Sequence, residues 1–273
     1  MSKTIPLKNF THLRFQGPDA ERYLNGQVTQ QVSNLPLGSS RHAFVCDGKG
    51  RILFDCFIHA DRGGFLVSVE KEFGEEAYAR LDRYLIADDC ELSDETEKWC
   101  LLHELGESSE GEDGMVNRFG KLGRDLYLPA EQVEEFNKIE FYLPSHEEQE
   151  NLRLKNGIPR SSDFAGALPA ETSWEDIAVS FHKGCYLGQE VISRMKRAGK
   201  TNRRLVPVIL SKGTLTCPLS FTESDGSKSL LKVTSVATEG TPEGYPALGY
   251  LSSRYQEGTS LLSEEGVSAT ISD

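Results

Sequence analysis

The sequence predicts an α+β fold over roughly residues 1–200 and a small all-β module, a barrel or sandwich, over roughly 203–273. Three observations carry this. Between residues 41 and 70, three runs rich in β-branched and aromatic residues (RHAFVCD, RILFDCFIHA, GFLVSVE) are joined by the turns Gly48-Lys49-Gly50 and Gly63-Gly64. Such runs around glycine turns are the signal of antiparallel strands. Segments with apolar residues at helical spacing flank them. After Arg203 the helical spacing stops, and short β runs (RRLVPVIL, SLLKVTSVA, ALGYL, VSATIS) alternate with Gly and Pro.

The elements follow in order. Residues 12–15 read as a short strand. Gly17-Pro18-Asp19 opens a helix to about residue 28, with Pro in the first turn. Residues 74–87 form an amphipathic helix with Ala77, Leu81, Tyr84 and Leu85 on one face. Strand-like pieces occupy 89–105, and ELGESSEGEDG at 104–114 has the composition of a solvated loop. Residues 115–128 read as a hairpin and 130–140 as a helix. A further helix over 146–156 is stopped by Gly157 and Pro159. Residues 160–173 read as irregular. A last helix follows the octapeptide KGCYLGQE and runs to Arg197, closed by Gly199. No internal repeat is visible.

Composition narrows the class. The chain has 273 residues, is 38% hydrophobic and 26% charged, and carries a formal net charge of -12. That balance suits a soluble globular protein and argues against indiscriminate binding to nucleic acid or membrane. No apolar run approaches a membrane span, and MSKTIPLKNF lacks a signal core and an Arg-rich presequence. A cytoplasmic setting, most simply bacterial, is expected. Charge is uneven. Residues 91–114 hold nine carboxylates against Lys98, whereas residues 183–204 hold Lys183, Arg194, Lys196, Arg197, Lys200, Arg203 and Arg204 against Glu190. A basic island on an acidic chain is a local anion site or a solvated helix face. Six cysteines show no C-x-x-C pair and no zinc-type spacing, so no residue is assigned to a resident metal site. Cys46, Cys56, Cys90 and Cys100 lie in apolar or strand-like runs and read as core filling.

Lys183-Gly184-Cys185-Tyr186-Leu187-Gly188-Gln189-Glu190 is the most informative segment. It places a thiol beside a lysine just ahead of a helix start, where unpaired N–H groups favour a thiolate. Cys185 is therefore a candidate nucleophile, cluster ligand or redox thiol. Lys183 would pair with an anion or tune that thiol. Tyr186 would stack on a flat ligand or pack in the core. Gly188 permits close backbone approach. Gln189 and Glu190 offer donors and an acceptor to a heterocycle edge, although Glu190 and Arg194 also sit at the spacing of a helix ion pair. Asp55 ends an apolar strand and, if buried, needs a partner such as an arginine. Trp174 with Asp176 would rim a pocket or pack.

KGCYLGQE resembles the signature of the YgfZ-type folate-binding proteins of iron–sulfur cluster assembly and repair, which share a fold with the T-protein of the glycine cleavage system. GPDAERYLNGQVTQQV (17–32), CDGKGRILFD (46–55), LDRYLI (81–86), LRLKNGIP (152–159) and LPAETSWEDIAVSFHKGCYLGQEVISR (168–194) are similar to the family's segments in the same order. The resemblance implies a T-protein-like three-lobed ring around a central folate pocket. Its lobes would be 1–40 plus 141–202, a ferredoxin-like 41–140, and a C-terminal β-barrel at 203–273. It implies tetrahydrofolate or a derivative as ligand, Cys185 as the functional cysteine with Lys183 beside it, and Tyr186, Gly188, Gln189, Glu190, Arg194 and Asp55 around the folate. The basic island would suit an acidic folate tail.

Two departures bear on activity. Where the aminomethyltransferase is expected to carry an aspartate pair, this chain has Phe54 and Asp55, and the pterin-reading glutamate falls at Lys155. Loss of a carboxylate argues against glycine cleavage. The expectation is thus an accessory factor for [4Fe–4S] proteins, with iron–sulfur client or assembly proteins as partners. The rivals are a folate-dependent one-carbon (aminomethyl) transferase on an unknown acceptor and a ligand-free protein-binding adaptor.

Overall fold

The computed structural model describes residues 3–105, 115–132, 144–213, 215–222 and 229–272. The expected loop at 104–114 and helix at 130–140 fall largely outside these residues.

The central element is a five-stranded antiparallel sheet. Its strands are β2 (Phe10–Gln16), β3 (Ser40–Cys46), β4 (Ile52–Asp61), β5 (Gly64–Glu70) and β6 (Glu91–Asp94), in the order β3-β4-β5-β2-β6. Helices α1 (Ala20–Gln27) and α2 (Gly74–Asp82) connect them. The order β6-β2-β5-β4 is that of a β-α-β-β-α-β ferredoxin-like unit, with β3 added at the edge. This unit begins at β2, so its hydrogen bonds cross the lobe boundary expected at residue 40: Leu13 pairs with Val67 and with Asp94. The helix expected over 74–87 stops at Asp82, and Tyr84 is exposed.

The sheet has two different faces because side chains alternate along a strand. Phe54, Cys56 and Ile58 of β4, Ala43 and Val45 of β3, and Val67 and Val69 of β5 form one core with Tyr23, Leu24, Ala77 and Leu81 of α1 and α2. The intervening residues, His42, Asp55, Phe57, Ser68 and Glu70, belong to the opposite face. There the sheet meets a second sheet, of order β1-β7-β9-β8, built from β1 (Lys3–Leu7), β7 (Trp99–Leu105), β8 (Val116–Asn117) and β9 (Leu122–Pro129).

Helix α3 (His146–Lys155) starts at a reciprocal capping box. The Ser145 hydroxyl accepts from the Glu148 N–H at 3.1 Å, and the Glu148 carboxylate accepts from the Ser145 N–H at 2.6 Å. Residues 160–173, expected to be irregular, contain α4 (Ser161–Phe164) and a 3-10 turn (Pro169–Glu171). Helix α5 (Glu175–Ala178) precedes the octapeptide, and α6 (Gln189–Ala198) follows it. Gly199, at φ +62°, closes α6 in the left-handed conformation that glycine accepts freely.

The C-terminal strands close a six-stranded barrel in the order β10-β13-β12-β11-β14-β15. They are β10 (Arg203–Leu210), β11 (Leu219–Thr222), β12 (Ser229–Val236), β13 (Tyr245–Ser252), β14 (Leu261–Ser263) and β15 (Ser268–Ile271). Val208, Leu210, Phe221, Leu231, Val233 and Val267 fill its interior.

Because the capping box sets the start of α3, Ser145→Ala is expected to cost about 1 kcal/mol of stability. Urea unfolding measures it, with a shifted midpoint at unchanged slope as the expected signature.

Candidate functional site

The polar face of the central sheet lines a cavity of about 750 Å³, counting its open mouth. Leu7 of β1 and Phe10 of β2 close one side. His42, Asp55, Phe57 and Glu70 form the sheet wall, and Arg118 and Phe119 follow β8. Glu150 and Arg153 project from α3, with Pro159, Arg160 and Trp174 completing the wall. The lining is aromatic and charged at once, which suits a flat polar ligand.

Phe57 anchors the aromatic part. The His42 ring stacks on it at 4.5 Å between centroids and 8° between planes, and the Arg118 guanidinium lies 3.5 Å from its centroid. Arg118 is held by Asp125 through Nε at 2.9 Å and Nη2 at 2.6 Å, and His103 Nδ1 reaches the same carboxylate at 2.9 Å. Burial works against ionisation of Asp125, yet the Arg118 guanidinium and the His103 ring hold its carboxyl well below the usual carboxylate range. Arg118 is therefore a fixed cation with its partner buried behind it.

Asp55 is buried as the sequence suggests, but its partner is not an arginine. His42 Nε2 lies 2.6 Å from its Oδ2, and the Ser161 hydroxyl donates to its Oδ1. Arginine cannot fill this place because the cavity's arginines are committed elsewhere. Arg153 binds Glu150 at 2.7 Å and Asp163 at 3.0 Å, and Arg160 pairs with Glu150 at 3.3 Å. Among the described residues, two buried atoms on the wall have no hydrogen-bond partner: His42 Nδ1 and Glu70 Oε2. Burial pushes the Glu70 carboxyl up to about 8, helped by nearby Asp55 and opposed by Arg160 and Arg153. Orphan buried polar atoms are rare in folded proteins and commonly mark where a ligand or water belongs.

The octapeptide lies elsewhere. None of residues 183–190 is among the cavity's lining residues. Cys185 is exposed, and α6 begins at Gln189 with Gly188 as its N-cap, so the cysteine is not in the helix's first turn. Lys183 is held by backbone carbonyls. Its ammonium donates to the carbonyl oxygens of Asn25 (2.6 Å), Val28 (2.7 Å) and Gln30 (2.8 Å), at and beyond the end of α1. Asn25 lies in the last turn of α1, whose carbonyls lack a helical partner, and Val28 and Gln30 follow the helix; the partial negative charge of these oxygens suits a cation. Burial pulls the Lys183 ammonium down to about 7.

Tyr186 is core rather than a stacking platform for a ligand: it is buried, and the Lys183 ammonium sits 5.0 Å from its ring centroid. Gly188 has φ +85°, and a Cβ there would meet Asp47 O at 2.7 Å and Gly50 Cα at 2.9 Å. The glycine lets the start of α6 press on the 47–50 turn. Glu190 and Arg194 form an exposed ion pair at 2.9 Å on the surface of α6, away from the cavity wall. Lys196 is paired with Glu175 and Asp176, so much of the basic island is neutralised locally. Gln189 and Lys155 also lie outside the cavity lining, whereas Trp174 is in it.

Glu70, His42, Arg118, Glu150 and Arg153 are the wall residues that motif reading passes over. The available signal was strand alternation: His42, Asp55, Phe57 and Glu70 are all out of phase with the apolar core positions of their strands. Among the described residues no group of three or more His, Cys, Asp or Glu is arranged to hold a metal ion. No described helix is long and apolar enough to cross a membrane.

Lys183→Met is expected to lose about 2–4 kcal/mol in urea unfolding, since three carbonyls lose their partner. Gly188→Ala should cost about 1–3 kcal/mol through backbone strain and contact with the 47–50 turn. Cys185→Ala, at an exposed position, should stay within about 0.5 kcal/mol of wild type. An equal loss in the cysteine variant would contradict this division of roles.

The chain is similar to known proteins. The GCVT N-terminal domain family model matches residues 4–111. An iron-sulfur cluster assembly factor IBA57 homolog, mitochondrial, from Dictyostelium discoideum is 27% identical over 256 residues, which covers 76% of this chain and 62% of the relative. The tRNA-modifying protein YgfZ of Klebsiella pneumoniae is 24% identical over 227 residues, covering 74% and 69%. The crystal structure of the glycine cleavage system aminomethyltransferase T from Bartonella henselae matches with a TM-score of 0.81 at 15% identity, covering all of this chain and 85% of that one. At that identity the likeness is one of fold.

Proposed function

We propose, because the chain is a GcvT-like protein of the YgfZ and IBA57 type, that it binds a tetrahydrofolate in the cavity and supports assembly or repair of iron–sulfur proteins through Cys185. The observation that carries the folate part is the cavity itself: aromatic walls at Phe10, Phe57 and Trp174 beside two buried polar atoms that lack partners. A reduced pterin is flat, and its edge carries both donors and acceptors. Phe57 with its stacked neighbours would hold the ring, Glu70 and His42 would meet its edge, and Arg118 would attract the anionic part of the ligand. Asp55 would keep the His42 ring oriented. A bound tetrahydrofolate supplies a carrier for one-carbon units; the residues named here bind it, orient it and exclude water.

The iron–sulfur part rests on the names of the relatives and on the exposed thiol. Cys185 stands on a short segment tied down at both ends: the Ser180 N–H donates to Thr29 O at 3.0 Å, and the Leu187 N–H to Gly26 O at 3.3 Å. Cys185 is exposed on this segment and would meet a partner protein there. Iron–sulfur client or assembly proteins are the proposed partners, in a cytoplasmic setting that keeps the six free cysteines reduced.

A one-carbon transfer to an unknown acceptor is the second reading, supported by the buried carboxylate of Asp55 at the cavity wall. Product formed from methylene-tetrahydrofolate by the purified protein would establish it.

Calorimetry with 5-formyl-tetrahydrofolate should detect binding to wild type and to Cys185→Ala alike, and a loss of about tenfold or more in Asp55→Ala. In cells, Cys185→Ala should lower the activity of cluster-dependent enzymes. Full complementation by that variant would remove the cysteine from the function.

A further inference from the structure

One carboxyl group of the cavity wall, that of Glu70, has no ion-pair partner among the described residues. Glu70 ends β5 on the polar face of the sheet, and its Oε2 is buried without a hydrogen-bond partner. Arg118, Arg153 and Arg160 all line the same cavity, yet none forms an ion pair with it; they pair with Asp125, with Glu150 and Asp163, and with Glu150. A carboxylate left unpaired among three arginines is not placed to neutralise them. A second unpartnered atom, on His42, lines the same cavity. His42 Nε2 is engaged by Asp55 Oδ2 at 2.6 Å, and its Nδ1 has no hydrogen-bond partner among the described residues.

We infer that Glu70 reads the ligand's ring as the protonated acid, its O–H and carbonyl oxygen pairing with adjacent acceptor and donor atoms of a lactam-like heterocycle edge. An ionised carboxylate has acceptors only and would select an edge of two donors; a carboxylic acid selects one donor beside one acceptor. This inference deepens the folate reading and rests on it. Glu70 is thereby the specificity-determining group of the cavity.

The groups that face Glu70 agree with this state. Asp55 on β4 and Glu150 on α3 disfavour its charge. Arg153 on α3 and Arg160 after it favour the charge, and burial outweighs them. His42 on β3, with Arg118 and His146 elsewhere on the wall, completes the titratable and charged surroundings. The sign follows. Below about pH 8 Glu70 already carries the proton that binding requires. Above it, each binding event must take one proton from solvent, and affinity falls.

The test is calorimetry of the full chain with 5-formyl-tetrahydrofolate from pH 6.5 to 9.5, in two buffers of different ionisation enthalpy. Wild type is expected to lose about tenfold in affinity per pH unit above about pH 8 and to take up one proton per ligand there. Glu70→Gln keeps a donor and an acceptor without a titrating proton. It should bind within about threefold of wild type at pH 7 and stay flat to pH 9.5. A flat wild-type profile, or a loss of tenfold or more in a folded Glu70→Gln at pH 7, overturns the role of Glu70 while leaving folate binding in place. Absence of binding by wild type at every pH overturns the folate reading together with it. The wild-type profile decides the matter even if the variant fails to fold.

Discussion

The buried ion pair of Arg153 and Asp163 is the joint on which the rest of the molecule turns. Arg153 donates to Glu150 on its own helix, to Ile158 O at 2.9 Å, to Asp163 at 3.0 Å and to Ser235 of the barrel at 3.3 Å. Asp163 accepts in turn from Thr234 and Ser235, each at 2.5 Å, and its carbonyl oxygen accepts from the Tyr250 hydroxyl at 2.9 Å. One guanidinium and one carboxylate thus bind α3, α4 and the barrel strands β12 and β13 into a single unit. Both charges are nearly sealed from water, so neither is tolerable without the other, and losing one partner of such a pair typically costs about 3–5 kcal/mol. Glu150, Arg153, Pro159 and Arg160 of the cavity wall lie on or beside the segments this joint ties together.

The opposite wall depends on the two-sided central sheet. A strand with one apolar and one polar face ordinarily turns its polar face to water. Here that face is covered by the second sheet and by α3, so His42, Asp55 and Glu70 are enclosed with Phe57. Enclosure gives these groups their character: Asp55 must find His42 and Ser161, Arg118 must find Asp125, and the atoms left without partners are the ones available to a ligand.

Strand runs, glycine turns, the helix at α3 and the barrel strands were legible in the sequence because each rests on local pattern. The ferredoxin-like order was legible only as a resemblance, and its start at β2 was not, since strand pairing across 50 residues leaves no local trace. The site divided in the same way. Asp55 could be singled out as a carboxylate in an apolar strand, but its histidine partner lies on a neighbouring strand. Glu70 looked like a strand end. Lys183 looked like a partner for Cys185 because the two are close in sequence, whereas the fold brings the carbonyls of Asn25, Val28 and Gln30 to its ammonium. The octapeptide is thus a structural clamp and an exposed thiol, set apart from the cavity lining.

That separation is the central claim, and a crystal structure of the complex with a reduced folate tests it most directly. Ligand density is expected in the cavity, against Phe57, Glu70 and His42, with Cys185 outside the contact shell and Lys183 still bound to its three carbonyls. Density placing the folate ring against residues 183–190, with the cavity empty, would contradict it.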